Sequence, residues 1–213
     1  MDSLSAHRDF GSAALNESDV ERDPFVQFGR WLSDAEGAGL SEPNAMVLST
    51  VDADGVPSSR TVLLRGVRAG GFEFFTNYDS RKGEALRVHP VASVVFPWYT
   101  LQRQVIVTGD VARVTEAESD TYFAGRPHKS QIAALASHQS QPISSRAELE
   151  SRVLELSARY PDGTAVPRPE NWGGFRLRPT RFEFWKGRRS RLHDRLVYTP
   201  AESSGWRLVR LQP

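Results

Sequence analysis

The sequence predicts a mainly β fold with peripheral helices, an α+β protein built around a β-barrel, and three observations carry that prediction. Short runs rich in Val, Thr, Phe and Trp, bounded by Gly, Asp-Gly and Pro turns, recur from residue 45 to the C-terminus. Helical periodicity is confined to a few segments that decorate those runs. At 213 residues, 39% hydrophobic and 25% charged, the chain suits one domain or a compact pair and can bury a real core.

Residues 1–22 mix acid and base with no sustained apolar period and are expected to form a mobile N-terminal arm; residues 23–213 are expected to form a single domain. Asp23-Pro24 supplies an N-cap followed by Pro at the first helical position, and Phe25, Phe28, Leu32 and Ala35 recur at helical spacing until Gly37 and Gly39 end the helix. Strands are expected at Met46–Val51 and Ser59–Arg65 around an Asp54-Gly55 turn, then at Phe72–Thr76 after Gly70-Gly71. Two successive hairpins predict a meander. Ser80 caps a short helix that stops before Pro90, two strands follow at Val91–Trp98 and Arg103–Val114, and Glu116–Gly125 is helical up to Arg126-Pro127. The segment Ser130–Ser140 reads either as a packed helix or as a ligand wall. Ser145-Arg146-Ala147-Glu148 is a capping box opening a helix whose stripe, Leu149, Val153, Leu156 and Tyr160, is core or subunit contact. Pro161–Asn171 is a loop, and strands at Gly174–Leu177, Arg181–Trp185 and Trp206–Leu211 close the chain.

Composition excludes several classes of function. A formal net charge of +1 leaves no broad cationic excess for general nucleic-acid binding. No apolar run approaches the roughly 20 residues of a membrane span and no signal-peptide core is present, so a cytoplasmic protein is expected. With no cysteine and five scattered histidines there is no thiolate chemistry, and no metal is expected. Nucleophile elbows and Gly-rich phosphate loops are missing, which points the chemistry toward an organic cofactor.

Cations cluster locally. Residues 183–195 hold four arginines, a lysine and His193 behind Phe184-Trp185, and such crowding calls for an anionic ligand unless the stretch is a solvated turn. As an extended segment it would point Arg191, His193 and Arg195 the same way. Arg81 and Lys82 are the wrong sign for the first turn of a helix, a conflict that a bound phosphate resolves and that two solvated surface cations would not need resolved. Arg60 and Arg65, five apart, fall on opposite strand faces unless the strand end twists. Gln104, polar among Val and Ile, needs a partner, either a ligand ring or the neighbouring strand.

The segments Arg60-Thr61-Val62-Leu63-Leu64, Thr76-Asn77-Tyr78-Asp79-Ser80-Arg81-Lys82-Gly83, Arg103-Gln104-Val105, Arg126-Pro127 with Ser130-Gln131-Ile132, Gln139-Ser140, Trp172-Gly173-Gly174-Phe175-Arg176, Glu183-Phe184-Trp185 and Arg191-Leu192-His193-Asp194-Arg195 occur in that order. Together they resemble the pyridoxamine 5'-phosphate oxidases over residues 24 to 213. The resemblance implies an FMN-binding split β-barrel, and a homodimer holding FMN at the subunit interface through a C-terminal dimerisation and active-site region. It also implies oxidation of pyridoxamine or pyridoxine 5'-phosphate to pyridoxal 5'-phosphate, with O2 as acceptor and H2O2 as by-product. It assigns Arg60, Thr61, Val62, Leu63, Leu64, Phe75, Thr76, Arg81, Lys82, Gln104, Gln139, Ser140, Trp185 and Arg195 to the flavin, with Arg81 and Lys82 on its phosphate. Arg65 borders the flavin group and joins Tyr122, Arg126 and Ser130 on the substrate phosphate. Arg191 and His193 cover the pyridine ring and are the catalytic pair; Lys186, Arg188 and Arg189 receive no role and read as solvated.

Departures from the family pattern are Arg65 in place of Lys, Phe75 in place of Tyr, Leu135 in place of an aromatic, and His7-Arg8-Asp9-Phe10 in place of a more basic arm. Arg and Lys differ in geometry at a phosphate. Two alternatives stand beside the oxidase: a related flavin oxidase of another ring, of the phenazine-pathway type, and a non-catalytic FMN or pyridoxal phosphate-binding protein.

Overall fold

The computed structural model describes residues 9–213. Nine strands join in one antiparallel sheet: β1 (Ala45–Val51), β2 (Pro57–Leu63), β3 (Gly66–Arg68), β4 (Gly71–Asn77), β5 (Val91–Trp98), β6 (Arg103–Arg113), β7 (Trp172–Lys186), β8 (Asp194–Pro200) and β9 (Trp206–Leu211). Their order is β2-β1-β5-β6-β7-β4-β3, with β8 and β9 branching from β7. The first expected hairpin forms, β1 on β2, but at the second turn β4 pairs with β3, a short strand that was not expected, and the two hairpins stand at opposite ends of this order. The expected meander is therefore wrong: β4 pairs with β7, a contact between segments about a hundred residues apart that no local turn signal announces. The sheet curls so that β2 and β4 line one cavity, making a half-barrel.

Strand β7 forks the architecture. Its first half pairs with β4, its second half with β8, and its other edge follows β6 throughout. Two separate strands, Gly174–Leu177 and Arg181–Trp185, were expected over these residues. The strand instead passes through Pro179 at a register shift opposite Thr108 and Gly109, where a bulge tolerates the missing N–H. A Cβ on Gly109 would lie 1.9 Å from the Arg178 carbonyl oxygen. Gly109→Ala is accordingly expected to force backbone movement and cost about 1–3 kcal/mol. That lowers Tm by roughly 2–4 °C per kcal/mol; a thermal melt matching the parent would refute it.

Helix α1 (Pro24–Gly37) starts as expected, with the Asp23 side chain accepting the Phe25 N–H. It buries Phe28 and Trp31 against Phe72, Phe96 and Phe184 of the barrel core. Each fully buried aromatic of this kind contributes about 2–3 kcal/mol. A second apolar cluster, Phe123, Ile132, Val166 and Trp172, sits beneath α3 (Glu116–Ala124), α4 (His128–Ala136) and α5 (Arg146–Arg159). Three of the four residues of the α5 stripe, Val153, Leu156 and Tyr160, reach the cluster, while Leu154, off the stripe, is 72% exposed.

The expected mobile arm requires correction over residues 9–22, which lie against the body; residues 1–8, including Arg8, fall outside the described residues. Leu15 is buried in the barrel core, Arg210 donates to Glu17, and Tyr198 donates to the Glu21 carbonyl. Single anchors hold this segment, so no periodic apolar pattern marks it. None of the described helices is long and apolar enough to cross a membrane.

Candidate functional site

A cavity of about 600 Å³ opens between β2, the end of β4, α2 (Arg81–Val88) and the segment after α4. Most of the residues assigned by resemblance meet there: Arg60, Thr61, Val62, Leu63, Arg65, Phe75, Thr76, Arg81, Lys82, Tyr122, Arg126, Gln139 and Ser140 all line it. Arg60 and Arg65 share the wall because β2 ends at Leu63 and the chain turns before Arg65. Leu64 does not line it; its side chain is buried in the core. Ser58, Ser59 and Trp172 also line the cavity, and only Trp172 lay in a motif that pointed here.

Helix α2 begins as its sequence dictates, with the Ser80 hydroxyl accepting the Gly83 N–H and donating to the Asn77 carbonyl. Its open N-terminus leaves backbone N–H groups available to an anion. Lys82 is 8% exposed, and its Nζ donates to Gln139 Oε1 at 2.7 Å, Thr76 Oγ1 at 3.0 Å and Ser80 Oγ at 3.2 Å. Burial, reinforced by the charge of Arg60, pulls its ammonium down to about 8. Arg60 is itself lowered, by burial first and then by Arg81. Five cationic side chains line the cavity, and among the described residues only Arg81 has a carboxylate within ion-pair reach, Asp52 at 3.6 Å. Like charges crowd there with one carboxylate to compensate them, an arrangement that fits a phosphate-bearing cofactor.

A second cavity, of about 800 Å³, shares Arg65, Phe75, Tyr122 and Arg126 with the first and adds Ser130. Phe75 stacks on Tyr122 with centroids 3.7 Å apart, so the hydroxyl absent from Phe75 gives way to an aromatic wall between the two spaces. The Arg126 guanidinium lies 4.6 Å over Trp172, and its Nη1 is buried without a hydrogen-bond partner. Burial, more than neighbouring Arg65, lowers its pKa. Gln131, a buried polar residue inside α4, donates to the Ala124 and Arg126 carbonyls and so fixes the turn that presents Arg126.

The remaining predicted residues are elsewhere. Gln104, Trp185 and Arg195 form one row across β6, β7 and β8, Gln104 facing Trp185 and Trp185 facing Arg195. Glu183 Oε1 accepts from Arg195 Nε at 2.7 Å. His193 lies 4.8 Å from the Trp185 ring, and its Nδ1 accepts the Arg188 N–H at 3.0 Å, which assigns the neutral ring a hydrogen on Nε2. Residues 191–195 do not form the expected extended run: Ser190 and Arg191 take φ of 56° and 62°, so a turn precedes β8 and Arg191 diverges from Arg195, exposed. Arg188 is not a solvated bystander either, since Nη1 stands 3.5 Å from Asp194 and its N–H orients His193; Lys186 donates to the Leu101 carbonyl. Trp172 and Trp185 end the same 15-residue strand, on the order of 40 Å apart along its path. One chain therefore carries the predicted site as two separated halves.

The chain matches the family model described as pyridoxamine 5'-phosphate oxidase over residues 32–160, and the one described as the pyridoxine 5'-phosphate oxidase C-terminal dimerisation region over residues 172–213. A pyridoxine/pyridoxamine 5'-phosphate oxidase of Rubrobacter xylanophilus is 52% identical, covering 100% of this chain and 97% of that relative. One from Burkholderia cenocepacia is 53% identical over 96% of this chain and 95% of that relative. Among solved structures, PhzG from Burkholderia lata in complex with tetrahydrophenazine-1-carboxylic acid superposes with a TM-score of 0.87 at 33% identity, covering 95% of this chain and 99% of that one. A pyridoxamine 5'-phosphate oxidase-related, FMN-binding protein from Nostoc punctiforme shares the fold at TM-score 0.72 and 16% identity, over 89% of this chain and 98% of that one. The half-barrel, the paired cavities and the matches over both parts of the chain agree: this chain belongs to the pyridoxamine 5'-phosphate oxidase family.

Proposed function

We propose that the protein oxidises pyridoxamine 5'-phosphate and pyridoxine 5'-phosphate to pyridoxal 5'-phosphate. The observation that carries this reading is the pair of adjoining cavities, each with its own cations, Arg81 and Lys82 in one and Arg65 and Arg126 at the boundary with the other. Two phosphorylated ligands lying side by side account for both sets. Arg81, Lys82 and the N-terminus of α2 hold the FMN phosphate, with Thr76 and Gln139 fixing the Lys82 ammonium. Arg65, Tyr122, Arg126 and Ser130 hold the substrate phosphate. When bound, FMN would accept at N5 the hydride leaving substrate C4', with the alcohol or amine proton passing to water; the alcohol gives the aldehyde directly, the amine gives an imine that water hydrolyses with release of ammonia, and O2 would reoxidise the flavin to give H2O2.

The other half of the site comes from a second copy of the chain in this reading, because the length of β7 keeps Trp185, Arg195, Arg191 and His193 away from the cavity of their own chain. Supporting it is the match to a dimerisation region over residues 172–213. Gln104, Trp185 and Arg195 would complete the flavin wall of the partner. Arg191 and His193 would cover the substrate ring, His193 as a donor through Nε2–H, and together they exclude water. Cytoplasmic residence belongs to the same reading.

Purified protein assayed aerobically with each phosphate ester is expected to release pyridoxal 5'-phosphate and equimolar peroxide and to show flavin absorbance. Flavin without either product would overturn the proposal. The likeness to PhzG favours a second reading, an oxidase of a phosphate-free ring. Arg65 and Arg126, whose guanidinium groups have no hydrogen-bond or ion-pair partner among the described residues, argue against it, and turnover of a reduced phenazine precursor in place of the phosphate esters would establish it.

A further inference from the structure

We infer that Asp194 is a positioning residue whose buried carboxylate pins residues 9–17 as a strap across Trp185 and His193. What that strap serves rests on the function proposed above; its existence does not. Asp194 is 7% exposed, between His193 and Arg195. A buried carboxylate is tolerated only when fully partnered. Oδ2 accepts the Leu15 N–H at 2.9 Å, and Oδ1 accepts Arg210 Nη1 at 2.6 Å. Arg210 extends the grip, donating to both Glu17 oxygens at 2.8 Å and to the Leu15 carbonyl at 2.8 Å. Both backbone groups of Leu15 are thereby held by one ion pair.

Upstream of Leu15 the strap crosses the face that carries the predicted ring-covering residues. The Gly11 N–H donates to Gln102 Oε1 at 2.9 Å. Phe10 sits edge-on to Trp185 and His193, at centroid distances of 5.7 and 5.4 Å. Its seat exists because residue 187 is glycine, where a Cβ would meet the Phe10 ring at 2.9 Å. At the far end Asp9 Oδ1 accepts the Ser190 N–H at 3.0 Å. Ser190 and Arg191 are consecutive non-glycine residues of positive φ, a conformation that persists only where surroundings hold it. The strap thus holds the turn that aims Arg191 and shields one side of the His193 ring, and Asp194 closes its downstream end. Neutralising Asp194 removes one of the two carboxylates on Arg210 and the only one beside Arg188 among the described residues, and it weakens the acceptor of the Leu15 N–H, so the strap lifts.

Asp194→Asn keeps the shape and removes the charge. In the full-length, flavin-loaded protein, chymotrypsin is expected to cut after Phe10 at least tenfold faster than in the parent. Cleavage should stay confined to residues 9–22, and KM for pyridoxamine 5'-phosphate should rise several-fold more than kcat falls. Arg210→Lys, which leaves Asp194 paired but cannot fork to Glu17 and Leu15, should release Phe10 likewise and serves if Asp194→Asn does not fold. Combining Asp194→Asn with Phe10→Ala should raise KM no further than Phe10→Ala alone, because both act through one strap. Unchanged cleavage in Asp194→Asn and Arg210→Lys, or additive KM effects, would overturn the inference. The proteolysis result stands even if the protein turns over neither substrate.

Discussion

Arg126→Ala is expected to lose on the order of 10²-fold in kcat/KM for pyridoxamine 5'-phosphate while its flavin content matches the parent. Arg126 stands at the boundary of the two cavities with one guanidinium nitrogen, Nη1, buried and unpartnered, so part of its desolvation has already occurred. A charge-assisted hydrogen bond formed under those conditions contributes about 1.5–3 kcal/mol, and each 1.4 kcal/mol is tenfold. The flavin phosphate cradle proposed at Arg81 and Lys82 is left intact. Stability should change little. The substitution removes a cation–π contact over Trp172, worth about 1 kcal/mol, and with it a buried unpaired donor that costs a similar amount. Steady-state kinetics with phosphorylated and unphosphorylated substrates separate the possibilities. An equal loss for both would mean that Arg126 does not hold the phosphate.

Local chemistry made much of the fold legible. Asp23-Pro24, Ser80 and Ser145 cap α1, α2 and α5 where their sequences place them, and β5 spans the residues expected of it. These signals are short-range, and the chain obeys them. What failed was long-range: the pairing of β4 with β7, the continuity of β7 through Pro179, and the strand β8, whose alternation is masked by charged residues at Asp194 and Arg195. A strand partner a hundred residues away leaves no trace in local periodicity.

The site divides along the same line. The charge conflict at Arg81 and Lys82 marked a wall of the cavity from sequence alone, because two cations at a helix N-terminus demand an explanation. The aligned face proposed for Arg191, His193 and Arg195 did not survive, since left-handed Ser190 and Arg191 carry no sequence signal that glycine or asparagine would have given. Asp194 escaped notice for another reason. A carboxylate among five cations reads as surface charge balance until the structure shows it buried and joined to Leu15 and Arg210.

Lys82 should make cofactor binding pH-dependent in a direction its surroundings fix. Its ammonium is held down to about 8 by burial and by Arg60, whereas an unfolded lysine titrates near 10.5. Between those values the unfolded chain binds more protons than the folded one, so Lys82 makes the cofactor-free protein more stable as pH rises through that window; below about 8 both states are charged and the contribution is flat. A bound phosphate reverses the balance by favouring the ammonium. FMN binding above pH 8 should then take up a proton, and affinity should weaken by up to about tenfold per pH unit toward 10. The second ionisation of a phosphate monoester lies near 6 and does not contribute in that range. Lys82→Met is expected to weaken FMN binding on the order of 10²-fold at pH 7, as one buried charge-assisted contact is lost, and to abolish the slope above pH 8. Quenching of flavin fluorescence on titration across pH 7–10 measures both. Riboflavin, lacking the phosphate, should bind weakly and without the slope; a slope that persists in Lys82→Met would assign the proton to another group.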